Sequence, residues 1–139
     1  MLKSVNIKDY MVDNPVVISE DAGLMEAVHL ILVNKVSGLC VIDKDKNLVG
    51  MLSEMDCLDG ILMASYNDSG IGKVADFMTT EVVVANLSED IIDVARDMLK
   101  QKHRRRPVVD KGKLIGQISC RQLLQAVKSF IGPTDKNEY

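Results

Sequence analysis

Residues 5–56 and 72–122 are two copies of one pattern, and a duplicated chain is expected to fold as two like halves. Asp9-Tyr10-Met11 aligns with Asp76-Phe77-Met78, and Val16-Val17 with Val83-Val84. Further on, Val41-Ile42-Asp43 aligns with Val108-Val109-Asp110, and Leu48-Val49-Gly50 with Leu114-Ile115-Gly116. A single one-residue gap, 44–47 against 111–113, keeps the register. A unit of roughly 50–60 residues buries little surface alone, so the copies are expected to pack face to face about an approximate two-fold.

Within each copy the pattern predicts strand, helix, strand, strand, helix. The β-branched runs at 15–18 and 82–85 predict a first strand, and Ser19-Glu20-Asp21 and Ser88-Glu89-Asp90 offer helix caps and first-turn acids. Leu24, Ala27, Val28, Ile31 and Leu32 recur at helical spacing, as do Ile91, Val94, Ala95, Met98 and Leu99, and both stripes are expected in the core. Apolar runs at 39–42 and 107–109, a polar turn, then runs at 48–52 and 114–118 predict strand–turn–strand pairs, with closing helices beginning near Asp56 and Gln122. The expected class is α+β: two pseudo-two-fold-related β-α-β-β-α repeats packed through their small sheets. The first repeat is taken as 1–66 and the second as 67–131, with a polar link at 65–70 and a flexible tail at 132–139.

A hydrophobic share of 47% is ample for a core. No run of 18 apolar residues occurs, and the opening MLKSVNIKDYM lacks the apolar centre of a signal peptide, so a cytoplasmic chain without a membrane partner is expected. Cys40, Cys57 and Cys120 are odd in number and lack CxxC spacing, which predicts buried thiols rather than disulfides. His29 and His103 have no neighbours at metal-ligand spacing, and no nucleophile or phosphate-loop motif occurs; no enzyme, catalytic residue or metal is expected. The net charge of −3 is unevenly spread: residues 1–66 carry five Lys/Arg against ten Asp/Glu, and 67–139 carry twelve against ten, densest at His103-Arg104-Arg105-Arg106.

The order D-x-M, apolar pair, capped helix, x-V-(I/V)-D, then L-(V/I)-G-x-h-S resembles the cystathionine-β-synthase (CBS) domain, here as a tandem pair over about residues 5–128. The resemblance implies a regulatory module whose cleft between the copies binds an adenosine ligand: AMP, ADP or ATP, or in some members S-adenosylmethionine. It also implies pairing into a disk-like homodimer. The family pattern G-h-x-h-(S/T)-x-x-D falls on Gly50, Ser53 and Asp56, which implies a hydroxyl near phosphate and a carboxylate on the ribose diol. Two carboxylate oxygens suit two ribose hydroxyls, and a hydroxyl at a helix start suits phosphate, although both residue types also serve as plain helix caps. The second copy keeps Gly116 and Ser119 but has Gln122 in the acid's place, so a weaker, altered or empty second site is expected. Arg105 occupies the family's basic position two residues before Pro107, where the resemblance implies phosphate contact, while Arg104 and Arg106 are expected to alternate away from it. By position, adenine contacts from main chain and apolar groups fall to Val17, Ile18, Leu39 and Cys40 in one site and to Val84, Ala85, Arg106 and Pro107 in the other.

The leading expectation is a stand-alone sensor that binds an adenine nucleotide and signals to a separate, unidentified protein. Nucleic-acid binding through HRRR is the second, opposed by a pI near 5.3, no Trp and only five aromatic residues, two Phe and three Tyr. A third is a dimeric scaffold without ligand, built on the apolar helices at 58–63 and 123–130.

Overall fold

The structure is a computed structural model that describes residues 4–67 and 70–131. Residues 68–69 of the expected link and the expected flexible tail at 132–139 lie outside the described residues. In chain order the strands and helices are β1 (Val12–Asp13), β2 (Val17–Ser19), α1 (Leu24–Asn34), β3 (Gly38–Ile42), β4 (Leu48–Ser53) and α2 (Glu54–Asn67). They continue with α3 (Val74–Phe77), β5 (Ala85–Asn86), α4 (Ile91–Gln101), β6 (Arg105–Asp110), β7 (Lys113–Ser119) and α5 (Cys120–Ile131). The α+β class and the β-α-β-β-α order of each repeat follow the sequence pattern.

The chain forms two compact units: Pro15–Val82 with Gly112–Leu114, and Met1–Asn14 with Val83–Lys111 and Ile115–Tyr139. In the first, β2 runs parallel to β3 with α1 as the crossover, and β3 pairs antiparallel with β4. In the second the sheet order is β1-β7-β6-β5, with β5 parallel to β6. Leu24, Ala27, Ile31, Leu39, Val41, Leu52 and Val74 close one core; Ile7, Ala85, Ile91, Val94, Met98, Val108 and Ile118 close the other.

Repeat and unit are therefore cut differently, because each unit takes in the leading segment of the other repeat. A bare β-α-β-β-α fold leaves its last strand with an unpaired edge. In the first unit Met51 and Thr79 exchange main-chain hydrogen bonds of 2.9 and 2.8 Å along β4, beside α3. In the second, β1 pairs with β7, setting Val12 opposite Gln117 and Asp13 opposite Gly116. The two glycines of the L-(V/I)-G pattern make this cover fit. A Cβ on Gly50 would stand 2.8 Å from Met78 Sδ and 2.9 Å from the Thr79 carbonyl; one on Gly116 would stand 2.7 Å from Met11 Sδ and 2.9 Å from the Val12 carbonyl.

Two expectations are corrected. Leu32 and Leu99 do not join their core stripes but are 68% and 77% exposed. Each lies about 100° round the helix from the last buried residue of its stripe, Ile31 or Met98, outside the arc that a single sheet face can cover. The caps also differ. Asp90 caps α4 by accepting from Ile92 N at 2.7 Å, whereas Ser19 accepts from Asp21 N in a turn before α1. Gly23 occupies the α1 cap without a side-chain bond, and Leu24 N donates instead to the Gly72 carbonyl at 3.0 Å. Main chain from the covering segment does what the sequence assigns to a side chain.

Candidate functional site

The loop-free passage from β4 into α2 positions the first candidate set. Pairing of β2 with β3 sets Val17 opposite Cys40 and Ile18 opposite Val41, and pairing of β3 with β4 sets Gly38 opposite Ser53, where the strand becomes helix. Ser53 and Asp56 bond reciprocally: Asp56 N donates to Ser53 Oγ at 3.1 Å, and Ser53 N donates to Asp56 Oδ2 at 2.9 Å. This is a capping box with a shorter acid than the usual Glu. Ser119 and Gln122 form its counterpart at the start of α5, with Gln122 N donating to Ser119 Oγ at 3.2 Å and Ser119 N to Gln122 Oε1 at 2.9 Å. One side-chain oxygen closes the box in either copy. What separates them is the second terminal atom: Asp56 offers another anionic oxygen, and Gln122 offers an amide that donates.

Other candidates fall into three groups. Val17 and Val84 are half-buried and able to present a side chain, whereas Ile18, Leu39, Cys40, Ala85 and Pro107 are buried in their sheets. Gly50 is shaped by the packing of Met78 and Thr79 against it, a role that the D-x-M repeat signals once the covering segment is known. Arg105 is exposed and lines an open groove of about 860 Å³ together with Arg104, Ser119, Arg121, Leu124 and Gln125. Arg104 was expected to turn away from Arg105. It sits in the bend before β6, where strand alternation does not apply, and both arginines reach the groove.

Arg106 is placed differently from its neighbours. It is 3% exposed, its Nη2 bonds Asp97 Oδ2 at 2.6 Å, and its Nε donates to His103 Nδ1 at 3.2 Å, which leaves only its main chain for a ligand. The hydrogen bond from Arg106, then that from Gln101, holds the Asp97 carboxyl below the usual carboxylate range. A lowered folded-state pKa gives stability that is complete above the unfolded value near about 3.9 and is lost as pH falls through the folded value. Asp97→Asn is accordingly expected to melt below the wild type at neutral pH, and thermal melts are expected to show the gap narrowing as pH falls below about 3.9.

Cys40 and Cys57 are buried and Cys120 is half-buried, all as thiols; burial, then the charges of Asp56 and Glu54, pushes the Cys57 thiol up. Among the described residues no cluster of three or more His, Cys, Asp or Glu is placed to hold a metal, and no helix is long and apolar enough to cross a membrane.

Comparison with known proteins gives this architecture its family. The CBS-domain family model matches residues 7–63 and again 74–129, and the chain belongs to the CBS-domain family as a tandem pair. The uncharacterized protein MJ1426 of Methanocaldococcus jannaschii is 32% identical over 87% of this chain and 90% of its own length. CBSX2, a chloroplastic CBS-domain protein of Arabidopsis thaliana, is 33% identical over 87% of this chain, which spans 62% of CBSX2. The chain spans 43% of another M. jannaschii relative, MJ1225, at 28% identity. A crystal structure of CBSX2 in complex with AMP superposes with a TM-score of 0.78 at 32% identity, covering 91% of this chain and 98% of that one.

Proposed function

We propose that the chain is a regulatory sensor that binds an adenine nucleotide, AMP, ADP or ATP, and passes the binding event to a separate protein. The likeness to the crystal structure of CBSX2 with AMP, which covers 91% of this chain and 98% of the crystallised chain, carries the reading. In the first site the Asp56 carboxylate takes the ribose diol through the oxygen outside the capping box, and the Ser53 hydroxyl and the start of α2 face phosphate. Val17 and the main chain around Ile18, Leu39 and Cys40 contact the base. In the second copy Ser119 and Arg105 share a groove suited to phosphate, but Gln122 brings no charge for a ribose, so this site is the weaker. With Arg106 held by Asp97, only two arginines of the HRRR run stand exposed, which reduces the case for RNA.

Calorimetric titration of AMP, ADP, ATP and S-adenosylmethionine into the purified chain tests this. Heat from at least one of the three nucleotides, saturating near one per chain, is the expected outcome. Silence from all three would end the nucleotide reading, and a response to S-adenosylmethionine alone would change the ligand.

A further inference from the structure

The two copies have divided the parts of one site between them. The first keeps the acid, Asp56, and has Ser37, Gly38, Met55 and Leu62 at the four positions where the second has Arg104, Arg105, Arg121 and Lys128. The second lacks the acid, and all four of its cations line the groove of about 860 Å³ beside α5. Among the described residues that line it none is a carboxylate and none is aromatic, and Gln122, at the ribose position, lies off it. The groove offers strong recognition to negative charge and little to a base or a sugar.

Its cations are both fixed and spread. Cys120 N donates to the Arg104 carbonyl at 2.9 Å and the Cys120 thiol to the His103 carbonyl at 3.6 Å, which ties the bend before β6 to the start of α5. Arg106, the next residue after Arg105, is anchored inward by Asp97, so the start of β6 is pinned on either side of its exposed arginines. Arg121 and Lys128 lie on one face of α5 two turns apart, about 10 Å along the axis. That is several times the width of one phosphate group. A lone phosphate beside Ser119 meets one end of the row, whereas a chain of phosphates laid along α5 meets both.

We propose that the groove is a site for a linear oligophosphate of at least three units, whether the tail of a nucleoside triphosphate or a free inorganic chain, and that the nucleoside is dispensable there. Such a site rests on the nucleotide reading only for the phosphate contacts of Ser119 and Arg105, and it needs neither adenine nor Asp56.

Inorganic tripolyphosphate, orthophosphate, AMP, ATP and a short oligouridylate, all metal-free, would be titrated calorimetrically into the wild-type chain, into Arg104→Gln/Arg121→Gln, and into Lys44→Gln/Lys100→Gln, which removes equal charge outside the groove. All four substituted residues are exposed, and thermal melts would verify that the variants fold. Tripolyphosphate is expected to saturate at one per chain, to bind at least about tenfold tighter than orthophosphate, and to weaken as salt rises. The groove variant is expected to lose about ten- to a hundredfold and the control less than about twofold. Amide shifts from tripolyphosphate and from ATP are expected at 104–105, 119–121 and 128, and tripolyphosphate is expected to leave 53–57 unmoved. Equal affinities for tripolyphosphate and orthophosphate overturn the proposal, as do equal losses in the two variants. A groove that takes ATP but not tripolyphosphate requires the nucleoside and overturns it too, and one that holds oligouridylate more tightly than tripolyphosphate is a nucleic-acid surface instead. AMP at 53–57 with no tripolyphosphate in the groove would sink this site and leave the nucleotide reading standing; tripolyphosphate in the groove with no nucleotide at 53–57 would do the reverse.

Discussion

Asp56→Asn is expected to leave the fold nearly intact and to cost about ten- to a hundredfold in nucleotide affinity. The amide keeps one carbonyl oxygen for Ser53 N, so the capping box that Asp56 Oδ2 closes at 2.9 Å can persist, as it does around Gln122 in the second copy. The substitution removes the charge and the second acceptor. A charge-assisted hydrogen bond contributes about 1.5–3 kcal/mol, and that sets the expected loss. Asp56→Ala removes the cap as well and should lower stability by a further ~1 kcal/mol. Calorimetry and thermal melts on the two variants separate the roles: equal affinities for Asp56→Asn and the wild type would reduce Asp56 to a cap.

Gly50→Val should be the most destabilising of the single changes at the candidate positions. Its Cβ would meet the Thr79 carbonyl at 2.9 Å and Met78 Sδ at 2.8 Å, and although the methionine can swing aside, the carbonyl is fixed by the bond it accepts from Met51 N. Overpacking of this kind costs about 1–3 kcal/mol, a fall in Tm of roughly 3–10 °C for a chain of this size. Gly70→Ala provides the comparison, because nothing lies within 4 Å of a Cβ there, and its Tm should not move. Denaturant or thermal melts showing Gly50→Val as stable as Gly70→Ala would mean that the covering segment does not press on β4.

The elements themselves were legible because their signals are local. Helical spacing placed Leu24, Ala27 and Ile31 inward, and S-x-x-D and S-x-x-Q announced the starts of α2 and α5; the β-branched run at 15–18 marked β2, whereas the run at 82–84 falls just ahead of β5, Ala85–Asn86. The exchange of leading segments was not legible, since the choice of β1 for β7 is a long-range pairing with no period of its own in the sequence. That exchange explains what a motif-based reading misses at Gly50 and Gly116, where the glycine answers to Met78 or Met11 from the other repeat. It also explains the α1 cap, which main chain from residue 72 replaces. Leu32 and Leu99 fit the helical period equally well from sequence but lie outside the buried arc of their helices, about 100° round from Ile31 and Met98. Arg106 could not be told from Arg104 and Arg105 by composition; its separation depends on the distant Asp97.

The inequality of the two S-x-x-(D/Q) caps is tested most directly by amide chemical-shift mapping as AMP is titrated into the isotope-labelled chain. Residues 53–57 and the neighbouring parts of β2 and β3 are expected to move first and saturate together, while residues 119–123 respond only at higher concentration or stay still. Shifts that begin at 119–123 and leave 53–57 unmoved would contradict it.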